Sequence, residues 1–465
     1  MLRRLCFCFL GLVLMAGTGC QTYKTQAKNM TTAWDGNQVA LAAKEFCSQA
    51  EKKDKSIDSI VWHLEAAAAH RTAGSIQESN RHLDRAIAQM DQYEEKAKVK
   101  VGEEAAAIMS NQQNLAYEGR SYDKIMAHTY KALNLMTLGK IEEARPEIIR
   151  TYQRQQDAVE ENKRRIEETQ LAVEENKNKQ FFQKSKDNPM LERAVEVVTK
   201  DTEGFRFYAD YVNPFSVYLE GLYFLYTGSD GADLERARKA FGRVEEVVGD
   251  NKFIKADIEA AEEAIKGNTP SPTTYVIFET GHAASRTQVR IDIPIIVTSV
   301  SYVGVAFPKL VFRNDHEPGL LVRAGSVEET TSTVANMDAI IALDFKNEWP
   351  TILTKTVLSS VAKAAVAYAV NEAARRQSDL ARLLVRVATA AAQAAVNIAD
   401  TRGWTTLPKE FQVARIFTPE DRKILIGCKT GDQQEVVVDE GVVNVVYVRS
   451  LNVRAPLMVQ QFRLK

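Results

Sequence analysis

Between residues 31 and 268 apolar side chains return every three or four positions, and many of them are alanine, which is the pattern of amphipathic helices. Three stretches follow one plan. Residues 62–90 carry Ala67, Gly74, Ile76, Leu83 and Ala86. Residues 128–151 carry Ala132, Leu135, Gly139, Ile141, Ala144 and Ile148. Residues 217–244 carry Gly221, Phe224, Gly228, Leu234, Ala237, Phe241 and Val244. In the first two, a small residue lies seven before the turn glycine and an apolar residue lies two after it. In the third, the insert 229–233 lengthens the turn.

Small residues let paired helices approach closely, glycine ends the first helix, and apolar residues fill the seam. The plan resembles the tetratricopeptide repeat, a helix–turn–helix unit. Long inserts separate the units, so the expectation over 31–269 is a tetratricopeptide-like helical domain rather than a regular superhelix; a plain helical bundle is the alternative. Such stacks offer a concave surface to a peptide or partner protein.

Residues 141–179 read as one long polar helix with an internal repeat, AVEENK at 158–163 and again at 172–177. Val159, Ile166 and Val173 fall at heptad spacing, but Asn162, Thr169 and Asn176 make the seam half polar, which favours an arm packed on the bundle over a dimerising coiled coil. The segment 213–228 opens the third unit, with Asn213 suited to cap and Pro214 to the first helical position. Tyr218, Tyr223, Phe224 and Tyr226 cannot share one helical face, so some are expected to look outward. The partner-binding candidates are therefore Tyr117, Tyr122, His128, Asn213, Tyr218 and Tyr223.

The pattern changes at the linker 270–274. Residues 274–281 and 286–297 read as strands, the second placing Val289, Ile291 and Ile293 opposite Arg290 and Asp292. Further strands are expected at 300–307, 310–313 and 320–323, then at 411–417, 423–428, 435–439, 442–449 and 457–463. Between them two Ala-rich helices, 351–376 and 378–400, make a hairpin, with Pro350 at its start. The fold class expected is α+β: the helical domain, then a β-sandwich-like domain over 270–465 with the hairpin 351–400 inserted.

Residues 1–19 have a basic start at Arg3 and Arg4, an apolar run and small residues before Cys20, the layout of a secretory signal. The small residues before Cys20 resemble the lipobox of bacterial lipoproteins, apart from Gly17, where leucine is commoner. The alternative is ordinary cleavage near Gly19. The resemblance implies cleavage before Cys20, lipid on its thiol and amine, and a tether over 20–30. Acyl chains together hold a protein on a membrane, and Gln21 after the cysteine implies the periplasmic face of the outer membrane.

Beyond the lipobox, the segments YEGRSYDKIMAH, NPFSVYLEGL, VIFETGHAASRTQVRIDIP, VAFP and ADTRGWTTLP occur in an order similar to a family of bacterial tetratricopeptide-containing envelope lipoproteins. That resemblance implies a place in the bacterial cell envelope, in the context of peptidoglycan assembly. In ADTRGWTTLP (399–408), Asp400 and Arg402 are placed to pair and Trp404 to pack over a structural join.

The chain has 465 residues, with 60 Lys+Arg against 61 Asp+Glu. At about 150 residues per domain that is two or three domains, and the balanced charge offers no field to attract nucleic acid. Beyond Cys20 the mature chain keeps Cys47 and Cys428, in different expected domains, with free thiols favoured over a disulfide. No HExxH, GxSxG or GxxxxGK[ST] motif occurs. His63 and His70 lie seven apart with His82 beyond the turn, and they read as ordinary helix-surface histidines. The paired carboxylates Glu160-Glu161 and Glu174-Glu175 sit on the polar arm, where nothing separates their pKa values. The expectation is no catalytic residue, no metal and no cofactor. The function expected is a membrane-anchored scaffold that binds an envelope protein. The alternatives are a subunit that self-assembles into a homo-oligomer through the hairpin and the arm, and then an envelope hydrolase or transferase.

Overall fold

The structure is a computed structural model that describes residues 22–99, 112–175, 189–208, 211–293, 303–374, 398–428, 431, 433–453 and 455–465. The signal 1–19, Cys20, the end of the polar arm and most of the second Ala-rich helix lie outside the described residues.

Two short helices precede the first repeat-like unit, α1 (Tyr23–Asp35) and α2 (Val39–Lys52). The units follow as antiparallel pairs: α3 (Ser59–Thr72) with α4 (Ile76–Val99), and α5 (Ser121–Thr137) with α6 (Ile141–Glu175). After α7 (Pro189–Thr199) come α8 (Pro214–Thr227), α9 (Gly231–Val248) and α10 (Lys252–Ile265). The first two turns are copies of each other. Gly74 and Gly139 take φ of +79° and +72°. At each turn the glycine N–H reaches back three residues and the next N–H five, from Ser75 to His70 and from Lys140 to Leu135. This is the glycine-ended helix stop read from the sequence. The third pair closes tighter: a Cβ on Gly221 of α8 would meet the Phe241 ring of α9 at 2.6 Å. The described chain is thus mixed α+β, with a helical-repeat-like first half.

The second half contributes β1 (Thr273–Thr280), β2 (Ser285–Ile293), β3 (Val303–Val311), β4 (Leu321–Ala324), β5 (Val327–Thr330) and β6 (Ser332–Asn336). After α11 (Met337–Ala374) come β7 (Glu410–Phe417), β8 (Lys423–Gly427), β9 (Gln433–Val437), β10 (Val443–Ser450) and β11 (Met458–Arg463). They build open sheets: five strands in the order β11-β10-β1-β7-β6, four in the order β5-β4-β8-β9, and the hairpin β2-β3. β1 and β10 run parallel from Thr273 opposite Val443, and β7 is antiparallel to β1.

Every residue of β1 is buried, because both faces of its sheet are covered. Strand alternation puts Tyr275, Ile277 and Glu279 on one face with Phe411, Arg415 and Tyr447, and this face meets the helices. Phe215 of α8 stacks on Phe411 at 3.9 Å, and the Tyr226 and Tyr275 hydroxyls meet at 2.7 Å. The opposite face carries Gln412, whose side chain meets Thr331 and the Pro318 carbonyl.

Two boundary expectations are corrected. The helix expected to start at Pro350 starts at Met337, where the Asn336 side chain accepts the Ala339 N–H at 3.0 Å; Pro350 lies inside α11. The strands expected at 300–307 and 310–313 are one strand, β3, with Pro308 opposite Gln288 in a two-stranded hairpin. The polar arm α6 is packed against the rest of the protein, in line with its half-polar seam. It runs beside α11, where the Thr169 and Thr351 hydroxyls lie 3.4 Å apart. Among the described residues no helix is long and apolar enough to cross a membrane.

Candidate functional site

All six partner-binding candidates are interior, so the expectation of an outward-looking tyrosine face is corrected. Tyr117 donates its hydroxyl to Asp123, and its N–H reaches the Ile57 carbonyl at 2.7 Å. Tyr122 is buried against a small cavity that Tyr208 and Asp344 also line. His128 pairs with Glu147 at 2.6 Å. Asn213 caps α8 as expected, accepting the N–H groups of Phe215 and Ser216 at 3.1 and 3.3 Å. Tyr218 donates to Asp257 at 2.8 Å and Tyr223 to the Ile141 carbonyl at 3.0 Å. The physical reason is the position of α8, enclosed by α9 and the sheet, so that even its final Tyr226 is buried.

Asp400 and Arg402 pair, and the segment that carries them with Trp404 docks on the helical half. Arg402 is buried, with Nε 2.9 Å from Asp400 and Nη1 2.9 Å from both Asp58 and the Leu115 carbonyl. Trp404 sets its ring edge-on to Tyr130 of α5, with centroids 5.6 Å apart. The residue unmarked in the sequence reading is Glu65. Fully buried in α3, its carboxylate accepts the Tyr23 hydroxyl at 2.8 Å, the Thr405 N–H at 2.8 Å, the Thr405 hydroxyl at 2.7 Å and the Thr406 N–H at 3.0 Å. Its one sequence signal is a lone acid inside IVWHLEAAAAH.

A second cluster lies among α2, α3 and α4. The seven-residue spacing of His63 and His70 puts both on one face of α3, and the Gly74 turn folds His82 back against them. The histidines are not surface residues: His63 and His82 are buried and His70 is half-buried. Cys47 of α2 completes the group, so that one ligand atom from each of Cys47, His70 and His82 lies within 4.8 Å of the others. This corrects the expectation that the chain offers no metal-ligating or catalytic constellation: packing of three helices assembles what no local motif announces. Cys47 and Cys428 are both free thiols.

Behind these three lies a chain of polar contacts. His82 Nδ1 meets His63 Nδ1 at 2.8 Å, and His63 Nε2 meets Asp54 at 3.0 Å. Arg85 holds Asp54 through Nε at 2.6 Å and Nη2 at 2.7 Å, and this pairing lowers the Asp54 carboxyl to about 2. Burial, then the charges of His63 and Arg81, pushes His82 down to about 3; burial also lowers His63 and His70. Burial and Glu51 raise the Cys47 thiol. The cluster borders an open pocket of about 540 Å³ lined by Glu51, Asp54, His63, Arg81, Asp84 and Arg85. One thiol and two neutral imidazoles form a donor set for a borderline-soft cation.

No family model matches the chain, nor does any curated protein or solved structure.

Proposed function

We propose that the protein is a lipid-tethered scaffold of the bacterial cell envelope, held on the membrane through Cys20 and receiving a partner protein on its helical half. The lipobox and the ordered segments shared in resemblance with tetratricopeptide-containing envelope lipoproteins support the tether and the location. The observation that carries the binding role is a groove of about 900 Å³ beside the third helix pair. Leu225, Leu234, Phe253, Ala260, Val327 and Phe417 give it an apolar lining, and Glu259, Glu263 and Lys465 add polar groups. Phe417 is 73% exposed and Val327 50%. Exposed large apolar groups gathered with polar neighbours mark interaction sites, and an apolar segment of a partner protein fits this one. The finer fold assignments belong to the same reading: α3 to α6 and α8 to α9 as divergent tetratricopeptide units, the two larger sheets as a sandwich-like second domain.

Cross-linking in living cells tests the proposal, with captured species identified by mass spectrometry and Cys20→Ala and Phe417→Glu as variants. A discrete envelope partner, lost with the tether and lost again with Phe417→Glu at unchanged protein level, is the expected result. Capture of further copies of the same chain alone would replace it with the self-assembling subunit.

A further inference from the structure

We propose that Cys47, His70 and His82 bind one zinc-class divalent cation through the thiolate and two imidazoles, with a fourth position open to the adjoining pocket.

The protonation pattern prepares His82 for this role. Asp54 is an anion and accepts only, so His63 carries its proton on Nε2 and donates it there. His63 Nδ1 then has a lone pair, which accepts the Nδ1–H of His82. That leaves the lone pair of His82 on Nε2. A carboxylate that fixes a histidine, which in turn fixes the next ring nitrogen, is the outer-shell arrangement that orients metal-ligating imidazoles.

His70 supplies the independent observation. Its ring stacks on His82 with centroids 5.7 Å apart and planes 13° apart, so the two imidazoles lie side by side. Neither of its ring nitrogens has a hydrogen-bond partner among the described residues, although both are out of reach of solvent. Buried polar atoms without partners are costly, and a cation satisfies one of these two.

Arg81 marks the place where positive charge is welcome. Its Nη2 lies 3.6 Å from the Cys47 sulfur and 3.3 Å from His82 Nε2. The side chain is 47% exposed and is held by Glu51 and Glu78 at 3.1 and 2.8 Å. It has room to swing outward on those carboxylates as the cation enters. Zinc–sulfur and zinc–nitrogen bonds of about 2.3 and 2.0–2.1 Å set tetrahedral ligand atoms about 3.3–3.6 Å apart. From a separation of up to 4.8 Å the cluster therefore closes by up to about 1.2–1.5 Å, within the reach of side-chain rotation. Binding converts the Cys47 thiol to a thiolate and releases its proton to solvent. Glu51, 3.7 Å from the sulfur, stands beside the open position, where a water completes the coordination as in three-ligand zinc sites.

The test uses the unlipidated mature chain carrying Cys20→Ala, stripped with a chelator and titrated with cobalt(II), then zinc. One equivalent of cobalt is expected to give a thiolate-to-metal charge-transfer band that zinc abolishes. Cys47→Ser removes the band. His70→Gln and His82→Gln weaken binding at least 100-fold, and His63→Gln, a positioning change, weakens it about 10–100-fold. Arg81→Gln tightens it, because the competing cation is gone. Circular dichroism shows whether each variant is folded. A folded parent protein with no charge-transfer band overturns the site, as does a band unchanged in Cys47→Ser.

Discussion

The carboxylate of Glu65 receives the backbone N–H of Thr405 at 2.8 Å, joining positions 340 residues apart. No solvent reaches Glu65, and four donors from Tyr23, Thr405 and Thr406 converge on it. Replacing it with alanine leaves the Tyr23 hydroxyl and the Thr405 and Thr406 groups without an acceptor. Glu65→Ala is expected to cost about 3–5 kcal/mol in denaturant unfolding, and Glu65→Gln, which keeps one acceptor oxygen, roughly half of that.

Arg402 behaves as the cation of the same join. Removing it takes the cation from Asp58 and leaves Asp400 with Arg120 at 3.9 Å, and breaking a buried ion pair from one side typically costs about 3–5 kcal/mol. Arg402→Met should lose stability on that scale. Adding Asp400→Asn should recover part of it, with a coupling of about 1–3 kcal/mol in the double-mutant cycle.

Two glycines separate close packing from backbone freedom. At Gly221 an added Cβ strikes the Phe241 ring, so Gly221→Ala is an overpacking change of about 1–3 kcal/mol. At Gly74 nothing lies within 4 Å of the added carbon, and only the left-handed φ is strained. Gly74→Ala is therefore expected to cost about 1 kcal/mol. Thermal melts should also show Gly221→Val far worse than Gly74→Asn, since asparagine tolerates the left-handed turn.

Acid should weaken the fold through His282. Trp34 donates its ring N–H to His282 Nδ1 at 3.2 Å, a bond that needs the neutral imidazole. Burial, then the charges of Arg449 and Arg313, hold His282 down to about 3, with Asp35 opposing weakly. In the unfolded chain it takes its proton near 6.5. Between those values the unfolded chain binds a proton that the native chain does not, so stability falls as pH drops from about 6.5 towards 3. The expected loss by pH 3 is on the order of 4 kcal/mol. Melting temperatures measured across this range for the parent and His282→Gln check it; the variant's profile should be flatter.

The legible parts were those in which neighbours in sequence decide the outcome. Gly74 and Gly139 announced their turns, Asn213-Pro214 announced the start of α8, and Gly221 announced a tight helix seam. The pairing of Asp400 with Arg402 was also readable, being two residues long. What those residues dock against was not. Asp58 and Glu65 meet their partners only after the whole chain has turned back. Parallel pairing of β1 with β10 leaves no hairpin signature, and Pro350, which suits a helix start, lies inside a helix that begins at Met337, where the Asn336 side chain accepts the Ala339 N–H. The tyrosines of α8 mislead because the amphipathicity of one helix does not show the sheet that covers its remaining face. Cys47, His70 and His82 sit on three helices, so spacing along any one of them is silent.

β1 draws both of its strand neighbours from much later in the chain; the Thr274 and Thr418 hydroxyls that meet at its end are 144 residues apart. During synthesis the chain emerges amino end first. For that whole interval the helical half holds an unfilled seat where Tyr130 awaits Trp404 and Glu65 awaits Thr405. A chain interrupted before residue 399 would keep that seat open, exposing aromatic surface and an unquenched acid together. Such fragments should be taken up by chaperones or destroyed by proteases. The late segment thus acts as a quality stamp, applied only to chains that have been delivered almost entire.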